Sequence, residues 1–228
     1  MKLKLNWHHL YGYLTKLLIS YYEKEPLNTG KNLYKLFINN PNFVLLNNWI
    51  SNFEKWDVQS LDPIHIFASF NYYDIDREVR LKKIFLYIHI LEEELNEYIT
   101  DLSDYKKIQF KGIPSVNLAK IMSARNEKSQ AEIWDFFYKA ITKNINEIDD
   151  FFELVNNWYG IKVPALTIFL FWANSDKYFP LDKNTVKLMK YNEIIIPTST
   201  KEYILTLMDN SGGNIYREIV RIAYEKKT

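Results

Sequence analysis

Six bases, Lys106, Lys107, Lys111, Lys120, Arg125 and Lys128, fall between positions 106 and 128 against a single acid, Glu127. They surround Gly112-Ile113-Pro114-Ser115-Val116-Asn117, a stretch whose glycine and proline mark a turn. A local excess of about five positive charges attracts phosphate whatever the charge of the whole chain. The same bases also read as a solvated face balancing their neighbours. Glu92, Glu93, Glu94, Glu97, Asp101 and Asp104 precede them with no base between. Both readings stay open on charge alone. A second chemical group is Asp182, which follows Phe179-Pro180-Leu181 and precedes the polar run Lys183 to Tyr191. Placed there, its carboxylate is suited to accept the free N–H groups that open a helix.

The remaining chemistry is sparse. The four histidines, His8, His9, His65 and His89, all lie in the first 89 of 228 residues. Adjacent helical positions point about 100° apart, so His8 and His9 read as ordinary surface or half-buried histidines and not as a shared metal site. His89 sits in an apolar region and reads as a satisfied core histidine. The chain has no cysteine, so it has no disulfide or thiolate metal site. Its six glycines form no phosphate loop, and it has no HExxH and no serine nucleophile elbow. No cofactor or metal is expected, and the chain alone is expected to turn nothing over. Formal net charge is +1, so no global field points to nucleic acid or to an anionic membrane. No apolar run reaches membrane-spanning length and the N-terminus lacks a signal-peptide core, which sets a cytoplasmic protein as the expectation.

The elements that must position these groups are mostly helical. Apolar residues at 10, 13, 14, 17, 18, 21 and 22 predict an amphipathic helix over 3–22. Shorter helical patterns cover 31–38 and 43–56. Asp62-Pro63 starts another helix, with the acid as cap and proline in the first turn. A long pattern runs from Asp76 to about Ile99, and others cover 129–144, 148–158, 200–208 and 215–227. Leu166 to Trp172 is an apolar run that reads as a buried helix or strand. Glu193 to Thr198 reads as a short strand or an extended loop. The fold class expected is mainly α: a compact, two-lobed helical domain with at most one or two short strands. Residues 1–60 are expected as an N-terminal helical segment and 61–228 as a helical core, with one continuous domain as the alternative.

Three stretches, taken in order, resemble the region N-terminal to the motor in McrB-like AAA+ proteins of modification-dependent restriction systems. Asp62-Pro63-Ile64-His65-Ile66-Phe67-Ala68-Ser69-Phe70-Asn71 is similar to that group's DPF-type, FA-x-FN motif, with Arg80 where an arginine often follows. Gly112 to Asn117, followed by Trp134, is similar to a GIP-x-VN segment ahead of a helix carrying tryptophan. Leu170 to Asp182, LFWANSDKYFPLD, is similar to an LFW-x-NPDKF-x-x-LD segment. The chain departs at Ser175, where proline is usual. It also has LAKIMSARNEK after Asn117 in place of an aromatic-rich SWFF-like continuation.

The resemblance implies a target-recognition module for anti-phage defence. Such a module binds DNA, with a modified base as a possible target, and works with an AAA+ motor domain or subunit and a partner nuclease. Together with the basic cluster, it gives as DNA-binding candidates Asn71, Arg80, Lys111, Gly112, Asn117, Lys120, Arg125, Lys128, Lys183 and Asn184. Two other classes stand beside it. Tyr159 to Leu166, then Phe179 to Asp182, faintly resemble a helix-hairpin-helix DNA glycosylase, which would make Asp182 catalytic. The near-neutral charge also suits a protein-interaction scaffold without nucleic acid.

Overall fold

A computed structural model describes residues 7–47, 59–98, 105, 107–110, 113–116, 127–144, 147, 162–191 and 193–209. These residues form nine helices: α1 Trp7–Lys24, α2 Thr29–Ile38, α3 Pro41–Leu46, α4 Pro63–Ala68, α5 Arg77–Leu95, α6 Glu127–Thr142, α7 Val163–Ala173, α8 Lys183–Tyr191 and α9 Thr200–Asp209. The mainly α expectation is met. Among the described residues the only β pairing is an isolated parallel bridge between Tyr72 and Val116. Glu193 to Thr198 takes the extended-loop alternative, with no strand partner among the described residues. The predicted helices at 148–158 and 215–227 lie outside the described residues.

By contacts the chain divides into two compact units, Met1–Tyr138 and Lys139–Thr228. That division does not coincide with a boundary near residue 60. The reason is local: the amide of Leu61 donates to the carbonyl of Gly30 at 3.0 Å, and α1 packs along α5. Residues on both sides of position 60 therefore share one core.

In the first unit, α1 buries Trp7, Leu10, Tyr11, Leu14, Leu17, Leu18 and Tyr21, the three-and-four spacing of an amphipathic helix. The start of α3 is set by Asn40, whose side chain accepts from the amides of Asn42 and Phe43. This helix begins at Pro41 and ends at Leu46, because Asn47 leaves the helical region. The rest of the predicted 43–56 helix lies outside the described residues. Phe37, Phe43 and Tyr87 close this side of the core, with ring centroids 4.7–5.1 Å apart. The long helix α5 starts under the carboxylate of Asp76, which accepts from Glu78 and Val79, and ends where Asn96 turns left-handed at φ 54°. Its buried stripe runs through Arg80, Ile84, Tyr87, Ile88 and Leu91. His89 is off that stripe. Its side chain is 60% exposed and pairs with Glu93 at 3.3 Å, which corrects the expectation of a core histidine.

In the second unit, Leu166 to Trp172 proves to be helical, within α7, and every residue from Leu166 to Ala173 is buried. A helix apolar on all sides needs neighbours on all sides. Asn174 ends it, accepting from the amides of Asp176 and Lys177 through its side-chain oxygen. The departure at Ser175 touches neither of those hydrogen bonds. The following loop is held by side chains. Tyr203 both donates to the carbonyl of Phe179 (2.6 Å) and accepts from its amide (3.1 Å), and Leu181 donates to Thr167 Oγ1 (3.0 Å). Tyr178 donates to the carbonyl of Ala140 at 2.6 Å, and Lys177 Nζ donates to the carbonyls of Ala140 and Lys143. Those carbonyls close a helix, and a lysine beside them also suits the helix dipole. Among the described residues, no helix is long and apolar enough to cross a membrane.

Candidate nucleic-acid interface

The first two motif-bearing stretches meet in the first unit. Asp62 caps α4 in a capping box: its Oδ1 accepts from the amide of His65 at 2.9 Å, while His65 Nδ1 lies 3.3 Å from the amide of Asp62. At the other end of α4, Asn71 Nδ2 donates to the carbonyl of Phe67 at 2.9 Å, and Asn71 Oδ1 accepts from the Tyr11 hydroxyl at 2.7 Å. The amide of Val116 then donates to the carbonyl of Asn71 at 2.9 Å, and the amide of Tyr73 donates back to Val116 at 3.3 Å. These two bonds join the end of the first stretch to the second. The tryptophan that follows is engaged as well. Trp134 Nε1 donates to the carbonyl of Leu61 at 2.8 Å, and Gln130 Nε2 donates to that of Ser60 at 3.0 Å.

Arg80 lies at this junction. Its guanidinium carbon sits 4.9 Å from the centre of the Phe110 ring, and its Nε is buried without a hydrogen-bond partner. Burial pushes the Tyr11 hydroxyl well above the ordinary phenol range, and the nearby positive charge of Arg80 and the bond to Asn71 oppose that rise. One turn along α5, Lys83 Nζ donates to the carbonyl of Ser69 at 2.9 Å and lies 5.2 Å from the centre of the Tyr72 ring. Burial lowers the Lys83 ammonium to about 8, so it is still mostly charged at neutral pH. Arg80 is 7% and Lys83 3% exposed, and among the described residues neither forms an ion pair with a carboxylate. Two cations thus sit buried beside two aromatic faces, which compensate them only in part.

The ten candidates fall in different places. Arg80 belongs to this recess. Asn71 is fully buried, and its amide holds the end of α4 to α1; it frames the recess and presents nothing to solvent. Lys128 is exposed on α6. Lys183 and Asn184 are exposed in the first turn of α8, in the second unit. Lys111, Gly112, Asn117, Lys120 and Arg125 lie outside the described residues. Asp182 acts as the cap of α8, its Oδ1 accepting from the amide of Thr185 at 2.7 Å. Among the described residues no group of three or more acids and histidines could hold a metal ion.

Three residues of the recess, Lys83, Tyr72 and Phe110, escape the sequence reading. A signal for Lys83 and Arg80 does exist. Stepping back four positions from Tyr87 and from Ile84 along the buried stripe lands on those two cations. No periodicity marks Phe110, because it enters from outside the helices.

The described residues define a mainly helical protein with two buried cations, Arg80 and Lys83, beside the loops that join at Asn71 and Val116. The chain belongs to the family described as a domain of unknown function (DUF8425), whose model matches residues 19–226. No curated protein and no solved structure matches it.

Proposed function

We propose that the chain is a DNA-binding target-recognition module of an McrB-like restriction system, acting in the cytoplasm in anti-phage defence. The GTP-driven motor and the nuclease that it recruits would lie outside these residues. The observation that carries this reading is the convergence at Asn71 and Val116. Two of the three stretches that resemble such modules are hydrogen-bonded to each other there, beside a buried arginine and lysine without carboxylate partners among the described residues. A site of that charge favours an anion, and the basic run from Lys106 to Lys128 continues from the same loops.

The test is a binding screen with methylated and unmodified DNA duplexes, followed by salt titration. The expected outcome is a preference for one modified duplex. Equal affinity for all duplexes, or none for any, defeats the reading. Each phosphate contact adds about 0.9 to the log–log salt slope, so replacing Lys120 and Arg125 together with alanine is expected to flatten it by about two such steps. An unchanged slope removes those two residues from the interface.

A further inference from the structure

Arg80 and Lys83 hold more donors than the protein uses. Arg80 Nε is buried and unpaired. Lys83 Nζ carries three hydrogens, and the one protein acceptor it meets among the described residues is the carbonyl of Ser69. The two side chains stand three positions apart, on one face of one helix. A buried cation without an anion is costly, and two side by side more so. An exposed lysine, Lys82, stands between them in sequence, so a phosphate merely attracted to surface charge has an easier place to sit.

We propose that Arg80 and Lys83 form a recessed site for a phosphate monoester, carried by a mononucleotide or by the 5′ end of a nucleic-acid strand. Charge selects the monoester. It carries nearly two negative charges at neutral pH, matching the two cations, whereas a backbone diester carries one. Access selects it too. A monoester has one substituent to lead out past Tyr72 and Phe110, both half-buried, and a diester has two. The guanidinium supplies planar paired donors and the ammonium a compact charge, the usual division of labour around phosphate. The groups that meet the Lys83 ammonium among the described residues are the Ser69 carbonyl and the Tyr72 ring, both from the preceding segment. None of them competes for the anion. The site goes beyond the recognition of duplex DNA and does not require it.

The experiment follows the Arg80 Nε–H resonance in the nitrogen-labelled full chain, assigned by its loss in Arg80→Lys. Four probes are titrated: inorganic phosphate, adenosine monophosphate, and a short DNA strand with and without a 5′-phosphate. The expected result is a shift of that resonance with the first two probes and with the phosphorylated strand only. Lys83→Met is expected to weaken each of these by about tenfold or more, and Lys82→Met to leave them unchanged. Tighter binding of the phosphorylated strand than of the mononucleotide identifies a strand end as the source, and the reverse order identifies a mononucleotide. An unmoved resonance overturns the site, as does an equal response to both strands, which would assign it to the diester backbone. Because the wild-type chain carries the main readout, failure of Lys83→Met or Lys82→Met to fold leaves the test intact, and if Arg80→Lys does not fold the resonance is assigned through bonds in the wild type. A chain that prefers a modified duplex but leaves this resonance unmoved loses the monoester site and keeps the recognition reading.

Discussion

The hydroxyl of Tyr11, in the middle of the first helix, donates to the side-chain oxygen of Asn71 at 2.7 Å, and both residues are completely buried. That bond fixes α1 to the loop that leaves α4. Replacing Asn71 with alanine strands two buried partners, the Tyr11 hydroxyl and the Phe67 carbonyl, at about 1–3 kcal/mol each. Tyr11→Phe removes a single donor and is expected to cost about half as much. Urea denaturation of the two variants checks the ratio. A loss below about 0.5 kcal/mol for Asn71→Ala contradicts a role for Asn71 in holding α1 to the end of α4.

Arg80→Met is expected to stabilise the ligand-free protein. Methionine keeps the apolar stem against Phe110 and removes a buried charge that lacks a carboxylate partner among the described residues. Replacing buried ion pairs with apolar side chains gains about 1–4 kcal/mol, and a buried cation without a carboxylate keeps the desolvation cost while lacking the partner's attraction. Thermal unfolding without phosphate gives the sign. A lower midpoint would mean that Arg80 is part of the frame and not of a binding site.

The buried lysine gives a pH dependence of known sign. Lys83 titrates at about 8 in the folded protein, against 10.5 for an ordinary lysine. Between those values the unfolded chain binds the extra proton, so stability rises with pH across that window and falls back as pH drops through 8. Buried tyrosines such as Tyr11 and Tyr87, raised by burial, pull the other way at higher pH. Comparing wild type with Lys83→Met at pH 7.5 and 9.5 isolates the lysine. The difference between the two proteins is expected to move toward the wild type at the higher pH, and no movement refutes the assignment.

Gly30 tolerates no side chain. A Cβ built there lies 2.6 Å from the Leu61 carbonyl oxygen and 3.3 Å from Trp134 Nε1. The carbonyl is backbone and is itself held by Trp134, so it cannot turn aside. Gly30→Ala is expected to destabilise by about 1–3 kcal/mol, although alanine is the better helix former. Calorimetry of the variant decides between crowding and propensity by sign alone.

Asp182→Asn is expected to change stability by less than about 0.5 kcal/mol, because asparagine caps a helix as well as aspartate does. Incubation of both proteins with duplexes carrying alkylated, oxidised or methylated bases completes the comparison. Base release by the wild type that disappears in the variant would restore the glycosylase reading.

The fold is legible in the sequence where the physics is local. Asp62-Pro63 announces a capped helix start and Asp182 a second one, because capping involves residues three apart. The stripe of α1 is equally plain, since one face is buried and the other is wet. Helix α5 is harder. Its buried set includes Arg80, Lys83 and Glu92, and charged residues on an inward face blur the pattern that marks burial. The same blurring hid the exposure of His89. The bridge of Tyr72 with Val116 is not legible at all, because a two-residue pairing between distant loops leaves no period in the sequence.

The donors supplied by α6 also bear on how the chain is made. Ser60 and Leu61 wait for Gln130 and Trp134, 70 and 73 positions later, to satisfy their buried carbonyls. During synthesis α1, α2, α4 and α5 are complete well before those side chains exist. A nascent chain stopped short of α6 therefore keeps two polar groups and the floor beneath Gly30 open to water. Contacts of such long sequence separation slow folding. The first unit is thus a late-closing one: its own helices come early, and the latch that commits them comes from its far end.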